Sequence, residues 1–136
     1  MNEEMDREKI VRYQVLQQRI KVLDNRRNLI LNRLMELDNT LSSIQELKDQ
    51  KDEGVFLPLG SGIFVKGSIK DADKMIAIIG ADVAVDMNFE KASKVLEDNR
   101  KVLDSGLKTI EEDMTKTTEE LINLEPEIQE ILQRRK

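Results

Sequence analysis

The chain contains no cysteine and no histidine. The first absence removes disulfides, thiolate nucleophiles, iron–sulfur clusters and cysteine zinc sites. The second removes the usual general base and the commonest transition-metal ligand. Tryptophan is missing too, tyrosine occurs once, and aromatics make up 3% of the 136 residues. No apolar run reaches the roughly 18 residues that a membrane span needs. The opening Met-Asn-Glu-Glu-Met-Asp is acidic and leads into no apolar stretch, so it does not read as a signal peptide, and a cytoplasmic protein is expected. Positive charge is also short: the net charge of −5 argues against a nucleic-acid binder.

What is present is charge and periodicity. Charged residues are 36% and hydrophobic residues 39% of the chain, against about 25% and 45–50% in an average globular domain. Too little bulky apolar material is available for a compact single core. The periodic apolar residues in turn argue against disorder. Long helices with a narrow apolar seam fit both facts.

Glycine and proline divide the chain into three. Residues 1–53 contain neither, residues 54–89 hold five of the six glycines, one of the two prolines and all three phenylalanines, and residues 90–136 are again charged and helix-favouring. In the first segment a heptad places Tyr13, Ile20, Arg27, Leu34 and Leu41 at a, with Leu16, Leu23, Ile30, Leu37 and Ile44 at d. Nine of these ten are apolar or aromatic, which is strong evidence for a coiled-coil helix. In the third segment d is Phe89, Leu96, Leu103, Ile110, Thr117, Leu124 and Ile131, and a is Ser93, Arg100, Leu107, Met114, Leu121 and Ile128. Asn88 is placed to cap this second helix.

Two helices of about 45 residues, each roughly 70 Å long, joined by a compact segment, are expected to fold back antiparallel. One register then pairs Leu41 with Leu96, Leu34 with Leu103, Ile30 with Leu107, Leu23 with Met114, Leu16 with Leu121 and Tyr13 with Leu124. It sets Arg27 beside Ile110 and Arg100 beside Leu37, where both arginines are expected to snorkel to the rim.

The middle reads as four strands, 55–58, 63–69, 75–79 and 82–87, separated by turn-like 59–62, 70–73 and 80–81. The alternation Ile63, Val65, Gly67, Ile69 against Phe64, Lys66, Ser68 predicts one buried face, and Met75 to Ile79 reads as buried on both. Two short hairpins with so few large side chains cannot close a core, and their edges stay open. They are expected to pair with the same segment of other subunits, through Val55, Leu57, Ile63, Val65, Met75, Ile76, Ile78, Ile79, Val83 and Val85.

Nothing supports catalysis. Gly60-Ser61-Gly62 lacks the Gly-Lys-Ser/Thr ending of a phosphate loop and leads into a strand. Asp71-Ala72-Asp73 lacks the later ligands and central glycine of a calcium loop, so a surface turn is the simpler reading. The acidic runs read as solvated helix faces. No cofactor and no metal is expected. One feature is left over. Near the open end of the helix pair Ile10, Val11, Val15, Ile122 and Leu132 lie off the seam. They are either ordinary surface apolars or a loosely held surface for a partner. Pro126 deletes a backbone hydrogen bond there and is expected to kink the helix.

Helix, double β-hairpin and helix, carrying Val-Phe-Leu-Pro-Leu-Gly-Ser-Gly-Ile-Phe-Val-Lys-Gly at 55–67 and Ile-Gly-Ala-Asp-Val-Ala-Val-Asp-Met-Asn-Phe-Glu-Lys-Ala at 79–92, resemble the alpha subunit of prefoldin over the whole chain. The hairpins carry the specificity, and two of them point to the alpha class. The resemblance implies a single α+β domain. On that resemblance residues 1–53 and 89–136 would form a long antiparallel coiled-coil hairpin, and two β-hairpins at 54–88 would join an intersubunit β-barrel. It also implies an archaeal-type, ATP-independent holdase of two alpha and four beta subunits. The coil ends would grip unfolded protein and deliver it to a group II chaperonin, with no membrane or nucleic-acid partner. The tip residues would be Ile10, Val11, Tyr13, Val15, Leu16, Leu121, Ile122, Leu124, Ile128, Ile131 and Leu132. The alternative is a structural coiled-coil protein, a filament subunit or tether, without client transfer.

Overall fold

A computed structural model describes residues 3–49 and 54–135. The expected end of the first helix at residue 53 lies outside the described residues. Along the chain the elements are α1 (Glu3–Asp49), β1 (Val55–Gly60), β2 (Ile63–Gly67), β3 (Met75–Ile78), β4 (Ala84–Met87) and α2 (Phe89–Arg134). This is the expected α+β arrangement of two long helices around two hairpins. The chain divides into two units, Met1–Leu34 with Val102–Lys136, and Met35–Lys101.

In the first unit α1 and α2 run antiparallel. Asp6 pairs with Arg134, Lys9 with Glu127, Arg12 with Glu120 and Arg19 with Asp113, so one partner's number falls as the other's rises. Leu16, Leu23, Leu34, Ile128 and Ile131 are buried between them, Ile131 being only 1% exposed. Ile30 lies against Gly106, where a Cβ would meet its Cδ1 at 3.6 Å, one residue from the expected partner Leu107. The buried residues of each helix in this unit follow the heptad positions, and the ion pairs flank that seam.

Two irregular seam residues are accommodated locally. Thr117 sits at a d position and is 3% exposed. Its hydroxyl donates to the Asp113 carbonyl at 2.8 Å, so no buried donor is orphaned. Arg27 is half-buried and turns back along its own helix to Asp24, 2.7 Å away, while its Nε is buried without a partner. Pro126 lies inside α2, which continues to Arg134. The proline is on the exposed face, so the backbone group it leaves unbonded does not interrupt the packed seam.

In the second unit β1 pairs with β2 and β3 with β4, both antiparallel, as separate two-stranded sheets. The first hairpin turns on Ser61 and Gly62, the second on Ala81 and Asp82, with positive φ at all four. Two successive left-handed residues match the right-handed twist of the strands they join. The strands differ from the sequence expectation at their ends: β1 runs on to Gly60, β2 stops at Gly67, β3 stops at Ile78, and β4 begins at Ala84. The turn hydrogen bonds Val83 N to Gly80 O at 2.9 Å and Ile79 N to Val83 O at 3.0 Å consume the residues between β3 and β4.

Asn88 caps α2 as expected, accepting from the Lys91 amide at 2.8 Å. A second cap comes from farther away. Asp71 accepts from the Asp73 amide at 3.0 Å, closing a tight turn, and Asp73 then accepts from the Phe89 amide at 2.8 Å. Lys48 lies over the Phe89 ring, 4.1 Å from its centroid.

Candidate functional site

The apolar residues expected at the site lie on two surfaces. The first is on the hairpins. Ile76, Ile78 and Ile79 are 70%, 79% and 60% exposed. Leu57, Ile63, Val65 and Val83 are also exposed, whereas Val55, Met75 and Val85 are half-buried. The buried face expected from the alternation in β2 is therefore absent within one chain: Ile63 and Phe64 point to opposite sides of the strand and both are exposed. The physical reason is that a two-stranded ribbon has no second layer to cover either face. Met75 to Ile79, read as buried on both sides, is likewise open at Ile76, Ile78 and Ile79. Only local contacts help, such as Leu57 folding over Gly67, where an added Cβ would approach its Cδ1 to 3.0 Å.

The second surface is at the ends of α1 and α2. Among the residues expected off the seam, Val11, Val15, Ile122 and Leu132 are exposed and Ile10 is half-buried. Of the seam residues, Leu16, Ile128 and Ile131 are buried, and Tyr13, Leu121 and Leu124 are half-buried. The end of the seam is thus closed, and the open apolar groups there are the off-seam ones. Val11 and Val15 line a shallow groove with Glu4, Arg7, Glu8 and Arg12. Both lie one helical turn apart on the same outward face of α1.

Among the described residues no cluster of acidic, cysteine or histidine side chains could hold a metal ion, and no helix is long and apolar enough to cross a membrane.

Residues 16–134 match the family model described as prefoldin subunit. The chain belongs to the prefoldin family. Its hairpin pair and helix lengths agree with that membership, and prefoldins are chaperone subunits without enzymatic chemistry that form hetero-oligomers. Similar archaeal proteins are prefoldin alpha subunits. That of Pyrococcus horikoshii is 30% identical over 88% of this chain and 77% of its own. That of Methanococcus vannielii is 27% identical over 95% of this chain and 86% of its own. Among solved structures, a chain of filamentous prefoldin from Methanocaldococcus jannaschii superposes with a TM-score of 0.62 at 23% identity, covering 93% of this chain and 99% of that one. The prefoldin beta subunit of Thermococcus strain KS-1 gives 0.59 at 17% identity, with 94% and 92% covered. Both show the prefoldin fold.

The role of Asp71 and Asp73 escaped the sequence reading. Two aspartates in a turn carry no signal of their target; only the fold brings Asp73 to a helix start sixteen residues on.

Proposed function

We propose that this prefoldin subunit is an ATP-independent holdase of the alpha class. It would assemble through its hairpins with beta subunits, two alpha to four beta, hold unfolded polypeptide at the ends of its coil and pass it to a group II chaperonin in the cytosol. The observation that carries the client site is the contrast at those ends. Val11, Val15, Ile122 and Leu132 are 51%, 59%, 60% and 54% exposed beside a seam that is closed down to Ile131. Unfolded chains offer apolar segments of no fixed shape, which scattered accessible side chains on a helix pair can meet without a rigid pocket. Each contact is weak, and several coils engaging one client supply strength.

The exposed strands support assembly, since a lone hairpin with isoleucines in water is unstable. The test uses the complex purified with a beta-type subunit. Val11, Val15, Ile122 and Leu132 are replaced together by serine, and suppression of aggregation of a denatured test protein is measured by light scattering. Loss of suppression with assembly intact supports the reading; full suppression by the variant removes the coil ends as the site. A homopolymer in place of a complex with beta subunits would favour the structural filament instead.

A further inference from the structure

A second line of residues on α1 is unusual for a chain this charged. Val11, Val15, Val22 and Leu29 are all exposed, Leu29 to 66%. The positions that complete their alternating spacing of three and four are Gln18, Asn25 and Asn32, also exposed and uncharged. This is a second heptad seam, facing away from the first, about 32 Å long at 1.5 Å per residue. Apolar residues of α1 are therefore spread over two faces, whereas those of α2 are more concentrated on one. Such a 3.5-residue period is what a partner helix needs to stay in contact along the whole line.

The seam is framed by one sign of charge. Between residues 9 and 33 the helix has seven basic residues and one acid, Asp24, which is already paired with Arg27. Arg12, Arg19, Arg26 and Arg33, seven residues apart, edge the seam on one side, and Lys21 lies on the other. Arg12 and Arg19 find Glu120 and Asp113 on α2. The same spacing brings Arg26 to Gly106, which offers no carboxylate. Among the described residues neither Arg26 nor Arg33 has an ion-pair partner, and both are exposed.

We infer that the outward face of α1 from Val11 to Asn32 docks an amphipathic helix of a partner protein, one with an apolar heptad seam edged by glutamate or aspartate. Its apolar residues would cover Val22 and Leu29, and its acids would reach Arg26 and Arg33. The amides of Gln18, Asn25 and Asn32 would favour one register over its neighbours, because a misaligned partner leaves them unpaired against apolar groups. A second copy of this chain does not fit: the same face turned on itself sets arginine against arginine. Nucleic acid offers no apolar seam to cover the valines. The site extends along α1 beyond the client-holding ends, and its test can be separated from theirs.

The probe is a labelled peptide of about four heptads with leucine at a and d and glutamate at e and g, which its own charge keeps from self-pairing. Controls carry lysine at e and g, or serine at a and d. Binding to the full chain is read by fluorescence anisotropy. The acidic leucine peptide is expected to bind at least about tenfold more tightly than either control. Arg26→Glu with Arg33→Glu, and separately Val22→Ala with Leu29→Ala, should each weaken it about tenfold, with the helicity of these surface variants and their aggregation suppression unchanged. Equal binding of the serine control would reduce the face to a general anion-attracting surface and overturn the proposal. So would affinity unchanged in both double variants. Loss of aggregation suppression in the same variants would reassign the face to clients and overturn it equally.

Discussion

The seam between α1 and α2 and the faces of the two hairpins are built from the same residue types and end in opposite states. On the seam Leu23 is 4% and Ile131 1% exposed; on the hairpins Ile76 and Ile78 are 70% and 79% exposed. The coil closes within one chain because one apolar stripe of each helix is covered by the other helix. A strand has two faces and an edge, and a pair of two-stranded ribbons supplies cover for neither. Exposure of isoleucine on the hairpins therefore reports missing cover within one chain, not poor packing, and the proposed assembly would supply that cover.

Four experiments would break or sharpen that contrast. The largest effect is expected from Ile76→Lys with Ile78→Lys. Charges buried at a subunit junction cost on the order of several kcal/mol, so native mass measurement with a beta subunit should find no hexamer, while circular dichroism still reports a helical chain. An intact hexamer would place these residues outside the junction. Next, Leu23→Ala should destabilise the coil by about 2–5 kcal/mol through loss of burial and the cavity left, whereas the adjacent Val22→Ala, 40% exposed, should shift the denaturation midpoint little. Equal effects would mean that the second face of α1 is covered in solution.

A smaller loss is expected where the β segment meets α2. Asp73→Ala and Asn88→Ala each remove one acceptor from the first turn of the helix, about 1 kcal/mol apiece, read as lost hydrogen-exchange protection at Phe89 and Lys91 respectively. Protection unchanged at Phe89 in Asp73→Ala would refute the long-range cap. The smallest effect belongs to the rim. Arg12 and Glu120 pair at 2.7 Å, but both are about half exposed. Solvent-screened pairs of this kind contribute about 0–1 kcal/mol, so Arg12→Gln should leave the thermal midpoint within a few degrees and lose even that difference in high salt.

The two caps of α2, Asn88 and Asp73, and the two seam arginines show where reading the sequence reached its limit. Asn88 was legible because a cap is local: the side chain meets an amide three residues on. Asp73 was not, because its partner at Phe89 becomes near only after β3 and β4 have folded. The arginines at Arg27 and Arg100 were expected at the rim, and they do reach carboxylates, Arg27 on its own helix at Asp24 and Arg100 at Asp38. Which carboxylate each one takes depends on rotamers that spacing does not encode. The tip residues divide in the same way. Their heptad positions separated seam from off-seam side chains in advance, but the closed end at Ile131 and the half-buried state of Ile10 come from packing.

Heptad spacing and the clustering of glycine in residues 54–89 were enough to read two long helices and two hairpins, and the absence of cysteine and histidine was enough to remove thiol and imidazole chemistry. These are consequences of local geometry and of which functional groups exist, and neither needs coordinates. Exposure belongs to the folded chain alone. Whether Val22, Leu29, Ile76 or Ile78 meets protein or water depends on what the antiparallel helices and the two-stranded sheets bring against it, and residue type is the same in either case.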